Sequence, residues 1–517
     1  MKAVTTAQIR QLDQQTIAAG VPSAELMERA GAAVARTCVG LLRARDPRSI
    51  LLLAGKGNNG GDAIVAARHL ANAGCQPTLV LLCHRSDLTG DPLLHFKRLL
   101  DSVRVVESPR LHVPRGRPSK TAARESGPRE CLQQLVTETT PALVVDGLLG
   151  TGLTGAVREP YASAIGCVNE LHRPVVAIDI PSGLDSNNGE VHGICVRAEV
   201  TVTMGLPKIG LLKPCAVDFV GRIEVADIGF PRQFVDEIET DVELISAADV
   251  APALPARRRS AHKGEFGHLL IVAGAEGYTG APVLCAHAAS RSGVGLVTLA
   301  VPHAILPIVA ANCPPEVMPR VLDSVTDTTG FGAVAVGPGL GQSVETQEMV
   351  RDLVSRSTVP LVLDADGLNA LVRYPFLLKR LRVPVVVTPH PGEMARLVKK
   401  SVQDVQANRW KVASGFAREH GVVTVLKGAG TVITDPSGKL WVNMTGNPGM
   451  AKGGMGDALT GMIGALLAQG LSPLNAAQAA VFLHGSAGDI ARERYGEQAL
   501  LATDLILSLG AAFAALD

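Results

Sequence analysis

Three glycines and a carboxylate, Gly453-Gly454-Met455-Gly456-Asp457, stand at the head of a long apolar helical pattern. Glycines let the backbone approach a ligand. The free N–H groups and dipole of a helix start favour an anion such as phosphate. A carboxylate is a poor phosphate ligand, so Asp457 reads as a group that handles a proton on a reacting substrate. The structural alternative is an N-cap with purely structural glycines. Upstream, Lys427-Gly428-Ala429-Gly430-Thr431 ends an apolar run. Lys427 and the Gly428 and Gly430 backbone could hold nucleotide phosphates; the alternative is a β-hairpin turn with a solvated lysine. His390, between two prolines, and Glu393 sit at a further strand end, and His390 points to substrate contact. Earlier in the chain, GKGNNGGD (Gly55 to Asp62), DGLLGTGLTG (Asp146 to Gly155) and DIPSG (Asp179 to Gly183) each follow a short apolar segment.

The elements that must position these groups are strand–turn–helix units. In the first half, strands are expected at Ile50–Ala54, Thr78–Cys83, Ala142–Val145, Val175–Ile178, Val200–Met204 and Ile223–Ala226, with a helix over Ala63–Ala73. Strands apolar on both faces and separated by helices imply a parallel sheet covered on both sides. Ligands bind at the edge where such strands end. The second half starts a new series: strands at His268–Ala273, Val294–Ala300, Val334–Val336, Leu361–Leu363, Pro384–Val387 and Val422–Leu426, with a helix over Val283–Ser292. The uncharged run Ala458–Gly488 reads as two buried helices joined at Leu471-Ser472-Pro473, not as a membrane span. Ser108–Glu130, rich in Pro, Arg, Ser and Gly, reads as a surface loop. The boundary between domains falls near Phe234–Glu243, and Arg257-Arg258-Arg259 reads as a solvated face.

At 517 residues, two or three domains are expected. Hydrophobic residues make up 47% and charged residues 19%, a globular composition. The net charge of +1 gives no reason to expect nucleic acid or an anionic membrane as partner. Nine scattered cysteines without a CxxC pair fit reduced thiols in the cytoplasm. The polar start carries no apolar signal segment.

KGEFGH, YTGAP, GPGLG, DADGLN, TPHPGE, KGAGT and GNPGMAKGGMGD, in this order over about Leu244 to Ala515, resemble ADP-dependent NAD(P)H-hydrate dehydratases. GKGNNGGD, DGLLGTG and DIPSG resemble NAD(P)H-hydrate epimerases over about Met1 to Ile228. Together the two halves resemble the bifunctional bacterial NAD(P)H-hydrate repair enzymes. The fold expected is α/β with two αβα domains: a Rossmann-like parallel sheet in residues 1–235 and a ribokinase-like domain in residues 240–517. The resemblance implies an epimerase that interconverts the R and S forms of NADH or NADPH hydrated at C6. It also implies a dehydratase that returns the S form to NAD(P)H while ADP becomes AMP and phosphate. Asp457 and Asp179 are the acid–base candidates. The hydrate would meet Asn58, Asn59, Gly60, Gly61, Asp62, Gly150, Thr151, Gly152, Leu153, Thr154, Gly155, Ala156 and Asp179 in the first domain, and Ala281, Gly341, His390 and Asp457 in the second. ADP would lie on Lys427, Gly428, Ala429, Gly430, Thr431 and Gly456, with Mg2+ on its phosphates. Asn59, Asp146 and Ser182 would hold K+; an amide, a carboxylate and a hydroxyl are hard oxygen donors suited to an alkali cation. A homo-oligomer with only small-molecule partners is expected. The family's first motif continues GGDG, whereas Ala63 follows Asp62 here; its methyl would crowd the ligand if the backbone had positive φ. The alternative reading is a ribokinase-like small-molecule kinase fused to a non-catalytic nucleotide-binding module.

Overall fold

The computed structural model describes residues 1–42, 48–107, 128–322 and 327–516. The expected loop at Ser108–Glu130 lies outside these residues, except that Pro128–Thr139 is helical. The chain divides into two compact units, Lys2–Thr240 and Asp241–Asp517. The division falls within the segment marked by composition.

The first unit is built on seven strands: β1 (Ser49–Ala54), β2 (Gln76–Leu81), β3 (Arg104–Glu107), β4 (Leu143–Gly147), β5 (Val175–Ile178), β6 (Val200–Met204) and β7 (Arg222–Ala226). They are ordered β3-β2-β1-β4-β5-β6-β7 and every neighbouring pair is parallel. Burial on both faces explains the unbroken apolar runs. Along β1, Ile50, Leu52 and Ala54 pack with Val34, Ile64 and Leu70. The alternate residues Leu51 and Leu53 pack with Leu132, Ile165 and Val168. The chain leaves β1 towards β2 on one side, and β4 flanks it on the other. GKGNNGGD and DGLLGTG therefore emerge side by side at the point where the strand order reverses, the usual place for a ligand.

The second unit carries β8 (Val242–Leu244), β9 (His268–Val272), β10 (Leu296–Val301), β11 (Val317–Val321), β12 (Ala333–Val336), β13 (Leu361–Leu363), β14 (Val385–Val387), β15 (Val423–Leu426), β16 (Thr431–Thr434) and β17 (Leu440–Asn443). Their order is β11-β10-β9-β12-β13-β14-β15-β16-β17-β8. Pairing is parallel from β11 to β15, then antiparallel across β15–β16 and β16–β17. Here β9 lies between β10 and β12, so YTGAP and GPGLG meet at the corresponding reversal.

Two expectations need correction. The helix expected from Ala63 begins at Asn58 and runs to Asn72, so Asn58–Asp62 form its first turns. Asn and Gly are poor helix formers, but close packing overrides propensity here: a Cβ on Gly60 would lie 1.8 Å from the Gly55 carbonyl oxygen. Ala63 is consequently helical and fully buried, with no positive φ, so its methyl packs in the core. The second correction concerns Lys427-Gly428-Ala429-Gly430, which is the turn of the β15–β16 hairpin, although its lysine is not solvated. Helices Met455–Ala468 and Pro473–Ala499 divide the uncharged run as expected. Among the described residues no helix is long and apolar enough to cross a membrane. All nine cysteines are free thiols, and Arg257, Arg258 and Arg259 are exposed.

Candidate active sites

In the second unit, Gly454 stands before helix Met455–Ala468 with φ +90°, a conformation glycine adopts freely. A Cβ there would also strike Leu284 at 2.6 Å. This turn delivers Asp457 in the first helical turn. His484, buried, holds the Met455 carbonyl at 2.9 Å from helix Pro473–Ala499. Asp457 lines a cleft of about 510 Å³ with Tyr278, Ala281, Gly339, Gly341, Gln342 and Asp366. Ala281, Gly341 and Asp457 are thus brought together from three separate motifs. The Gly341 N–H donates to Asp366 Oδ2 at 2.9 Å, which fixes the GPGLG turn.

Beneath the helix start lies a charged network that joins Lys427 and Glu393 to Asp364 and Thr460, two residues the sequence reading did not assign. Lys427 Nζ sits 2.5 Å from Asp364 Oδ1 and 4.0 Å from Glu393 Oε2. Asp364 Oδ2 accepts from the Thr460 hydroxyl at 2.8 Å. Gly456 lies close against the network: a Cβ there would come within 3.3 Å of Lys427 Nζ. Burial pushes the Lys427 ammonium down, but Asp364, Glu393 and Asp457 outweigh this and hold its pKa above the ordinary lysine range. Asp457 is raised to about 7, first by burial and then by repulsion from Asp364, against the opposing pull of Lys427. Glu393 is raised by burial as well. It accepts from the His390 backbone N–H at 2.8 Å. His390 caps helix Pro391–Val398, its Nδ1 accepting from the Gly392 N–H at 3.0 Å. Its Nε2 lies 3.3 Å from Glu393 Oε1, and the side chain is half exposed. Burial and Lys427 push its pKa down, favouring neutral imidazole.

Of the nucleotide candidates, Gly428, Ala429 and Gly430 lie in the hairpin turn and Thr431 opens β16, with Gly428 at φ +137° and Gly430 at +61°. Arg409, another residue the sequence reading passed over, is buried under this turn. It donates to the Leu426 and Lys427 carbonyls at 3.0 and 3.1 Å and to Gln406 Oε1 at 2.9 Å. No carboxylate pairs with it among the described residues, and burial lowers its pKa to about 10. Arg409 lies in a helix with no motif around it, so only the three-dimensional arrangement reveals it. Asp364 had a signal: it opens DADGLN at a strand end.

In the first unit, Asn59, Asp146 and Ser182 converge. Asp146 Oδ1 accepts from the Ser182 hydroxyl at 2.6 Å and Oδ2 from the Ser182 N–H at 2.8 Å. Asn59 Nδ2 donates to the Leu149 and Ile178 carbonyls at 3.0 and 2.8 Å. Ser182 Oγ also lies 3.2 Å from the Leu149 carbonyl. Asp146 is fully buried with no cationic side chain bonded to it, and burial raises its pKa to about 6. A buried carboxylate ringed by an amide, a hydroxyl and carbonyls fits a weakly charged, oxygen-bound cation. Gly150 approaches so closely that a Cβ would meet Asn59 Oδ1 at 2.6 Å. The loop Gly150–Ala156 thereby borders the same group. Asp179 follows β5 and Asp62 lies inside helix Asn58–Asn72, both buried. Among the described residues no cluster of three His, Cys, Asp or Glu is arranged to hold a metal.

Residues 269–509 match the family model for NAD(P)H-hydrate dehydratase, and residues 23–210 match that for the YjeF-related protein N-terminus. The bifunctional NAD(P)H-hydrate repair enzyme of Moorella thermoacetica is 39% identical, over 98% of this chain and 95% of that protein. Its counterpart from Escherichia coli is 37% identical, over 95% of this chain and 89% of that protein. The crystal structure of an ADP/ATP-dependent NAD(P)H-hydrate dehydratase from Bacillus subtilis, co-crystallised with ATP and Mg2+, is 32% identical. It covers 54% of this chain and 100% of that one, with a TM-score of 0.49.

Proposed function

The chain belongs to the bifunctional NAD(P)H-hydrate repair enzymes, which join an epimerase to a dehydratase, and from that premise we propose which residues perform each reaction. Residues 1–235 are the epimerase and residues 240–517 the dehydratase. The observation that carries the dehydratase assignment is Asp457, a carboxyl raised to about 7 at a helix start, next to Lys427 and open to the cleft. The hydrated nicotinamide lies against Ala281, Gly341, His390 and Asp457. The phosphates of ADP lie on Lys427–Thr431 and Gly456.

Hydroxide is a poor leaving group, and phosphorylation makes it a good one. Asp457 takes the proton of the C6 hydroxyl as its oxygen attacks the β-phosphorus of ADP, and AMP departs. The C6–O bond then breaks with its electron pair on phosphate, and loss of a proton from C5 forms the C5=C6 double bond of NAD(P)H. The backbone N–H groups at Gly453–Gly456 and the Lys427 ammonium stabilise the transferring charge. Mg2+, carried on the ADP phosphates, would supply further charge neutralisation. With ADP bound, Lys427 exchanges part of its contact with Asp364 for phosphate oxygen.

In the epimerase, Asn58–Asp62, Gly150–Ala156 and Asp179 surround the hydrate. Asn59, Asp146 and Ser182 would hold K+, which would neutralise Asp146 and fix the Leu149 carbonyl. Incubation with ADP and hydrated NADH, followed by the return of NADH absorbance, tests the dehydratase. Asp457→Asn is expected to lower turnover by about 10²-fold or more while ADP still binds; near-normal turnover refutes the assignment.

A further inference from the structure

Asp179 does not stand alone at the edge of the first sheet. It adopts a left-handed φ of +63°, strained for a residue with a Cβ. Its Oδ1 accepts from the Met204 N–H at 3.0 Å and the Thr203 hydroxyl at 3.3 Å, and pairs with the Lys208 ammonium. Lys208 follows β6, and its side chain is 1% exposed. Its Nζ also donates to Thr203 Oγ1 at 3.2 Å and to the Met204 carbonyl at 3.0 Å. The backbone on either side is held by the N-terminal segment: Val4 N–H donates to the Pro207 carbonyl, and Ile209 N–H to the Val4 carbonyl, both at 2.9 Å. The hydrogen bonds that Asp179 accepts with its side chain all fall on Oδ1; among the described residues Oδ2 has no hydrogen-bond partner.

A buried ammonium is costly unless a nearby charge needs it. Here the need exceeds the supply. Asp13, on helix Thr6–Ala18, and Asp62 also face Lys208 and Asp179. Burial raises Asp13 to about 6, with Lys208 pulling it down and Asp179 pushing it up; burial and then Asp179 hold Asp62 well above its ordinary value, against the pull of Lys208. One ammonium serves three carboxyls, and it contacts only Asp179.

We propose that Lys208 is a positioning residue for epimerisation: it holds Asp179 through Oδ1 and leaves Oδ2 to act on the substrate. The inference rests on reading residues 1–235 as the epimerase. In the step it supports, Asp179 takes the proton of the C6 hydroxyl. The C6–N1 bond breaks with its pair on N1, delocalised into the ring carboxamide, and C6 becomes an aldehyde. After rotation about C5–C6, N1 attacks the opposite face of the carbonyl and the oxygen recovers the proton from Asp179. No atom or electron is gained or lost.

The test uses the full chain with Lys208→Met, Lys208→Arg and Lys208→Gln, supplied with the R hydrate and ADP. NADH then appears only after epimerisation, and the S hydrate supplied alone reports the dehydratase. The expected result for Lys208→Met is a kcat for the R form reduced about 10²-fold, with KM little changed and S turnover intact. Lys208→Arg recovers part of the loss; Lys208→Gln, which keeps a donor without the charge, does not. Epimerisation by Lys208→Met or Lys208→Gln within two-fold of the unsubstituted chain overturns the proposal, as does a loss expressed wholly in KM. Circular dichroism and limited proteolysis report folding. If Lys208→Met unfolds, the Arg and Gln variants decide: a faster Arg variant supports the proposal and equal rates overturn it. If the unsubstituted chain converts R no faster than the spontaneous rate, the epimerase reading itself has failed.

Discussion

Asp457 concentrates a conflict between stability and chemistry in one carboxyl. Burial and Asp364 raise it to about 7, which places a general base near working pH. If its carboxylate takes the hydroxyl proton, kcat/KM for dehydration falls about tenfold per pH unit below about 7, while epimerisation does not follow that limb. A pH profile on the S hydrate checks this; a flat profile from pH 5 to 8 contradicts the assignment. Stability runs the other way. The folded pKa lies above the ordinary value of 3.8, so Asp457 stabilises fully below about 4, and that contribution is lost as pH rises through about 7. Asp457→Asn should therefore raise the unfolding temperature of the second unit at pH 8, with the gain shrinking towards pH 4. Thermal denaturation at the two pH values measures the difference. The sequence suggested Asp457 through its place in a glycine turn. It could not suggest the pKa, which depends on Asp364 and Glu393, 93 and 64 residues earlier in the chain.

At the scale of elements, the parallel strands were legible because burial on both faces writes them as continuous apolar runs; Val175–Ile178 and Val200–Met204 appear as expected from the sequence. The edge strands β3, β8 and β11 and the short β16 and β17 were not expected, since three to five residues that owe their state to a neighbour leave little pattern. The hairpin carrying Lys427 shows a different limit. The hairpin that KGAGT could form is present, but its lysine enters a buried carboxylate network rather than solvent. The turn also depends on what lies beneath it. At φ +137°, a Cβ on Gly428 would sit 3.0 Å from Arg409 Nη1. Gly428→Ala combines backbone strain of about 1–3 kcal/mol with displacement of that guanidinium. It should raise the Kd for ADP by about 10- to 100-fold without slowing epimerisation. Arg409→Met, which frees the Leu426 and Lys427 carbonyls, should act in the same direction. Calorimetric titration with ADP measures both, and unchanged affinity would show that the nucleotide lies elsewhere.

For the whole molecule, two αβα units with separate cores make two independent sets of site residues. The sheet reversal in each unit gathers motifs that lie far apart in sequence, which is why ordered motifs indicated two sites while their neighbours Lys208 and Asp364 went unassigned. Independence has a kinetic consequence that a mixture of hydrates reveals. With excess ADP, the unsubstituted chain should convert R and S forms completely, in a single fast course if epimerisation keeps pace with dehydration. Asp179→Asn should split the course into two phases: the S fraction is consumed at the normal rate, and the R fraction follows at the spontaneous rate. Asp457→Asn should yield little NADH over the same course, yet bring an R-enriched sample to its epimer equilibrium, as chromatography of the hydrates would show. Mixing the two variants should restore the single fast course, since hydrate released by one chain can be used by another. Persistent biphasic kinetics in that mixture would mean instead that the hydrate passes between sites without entering solution, and the two reactions would then be coupled within one chain.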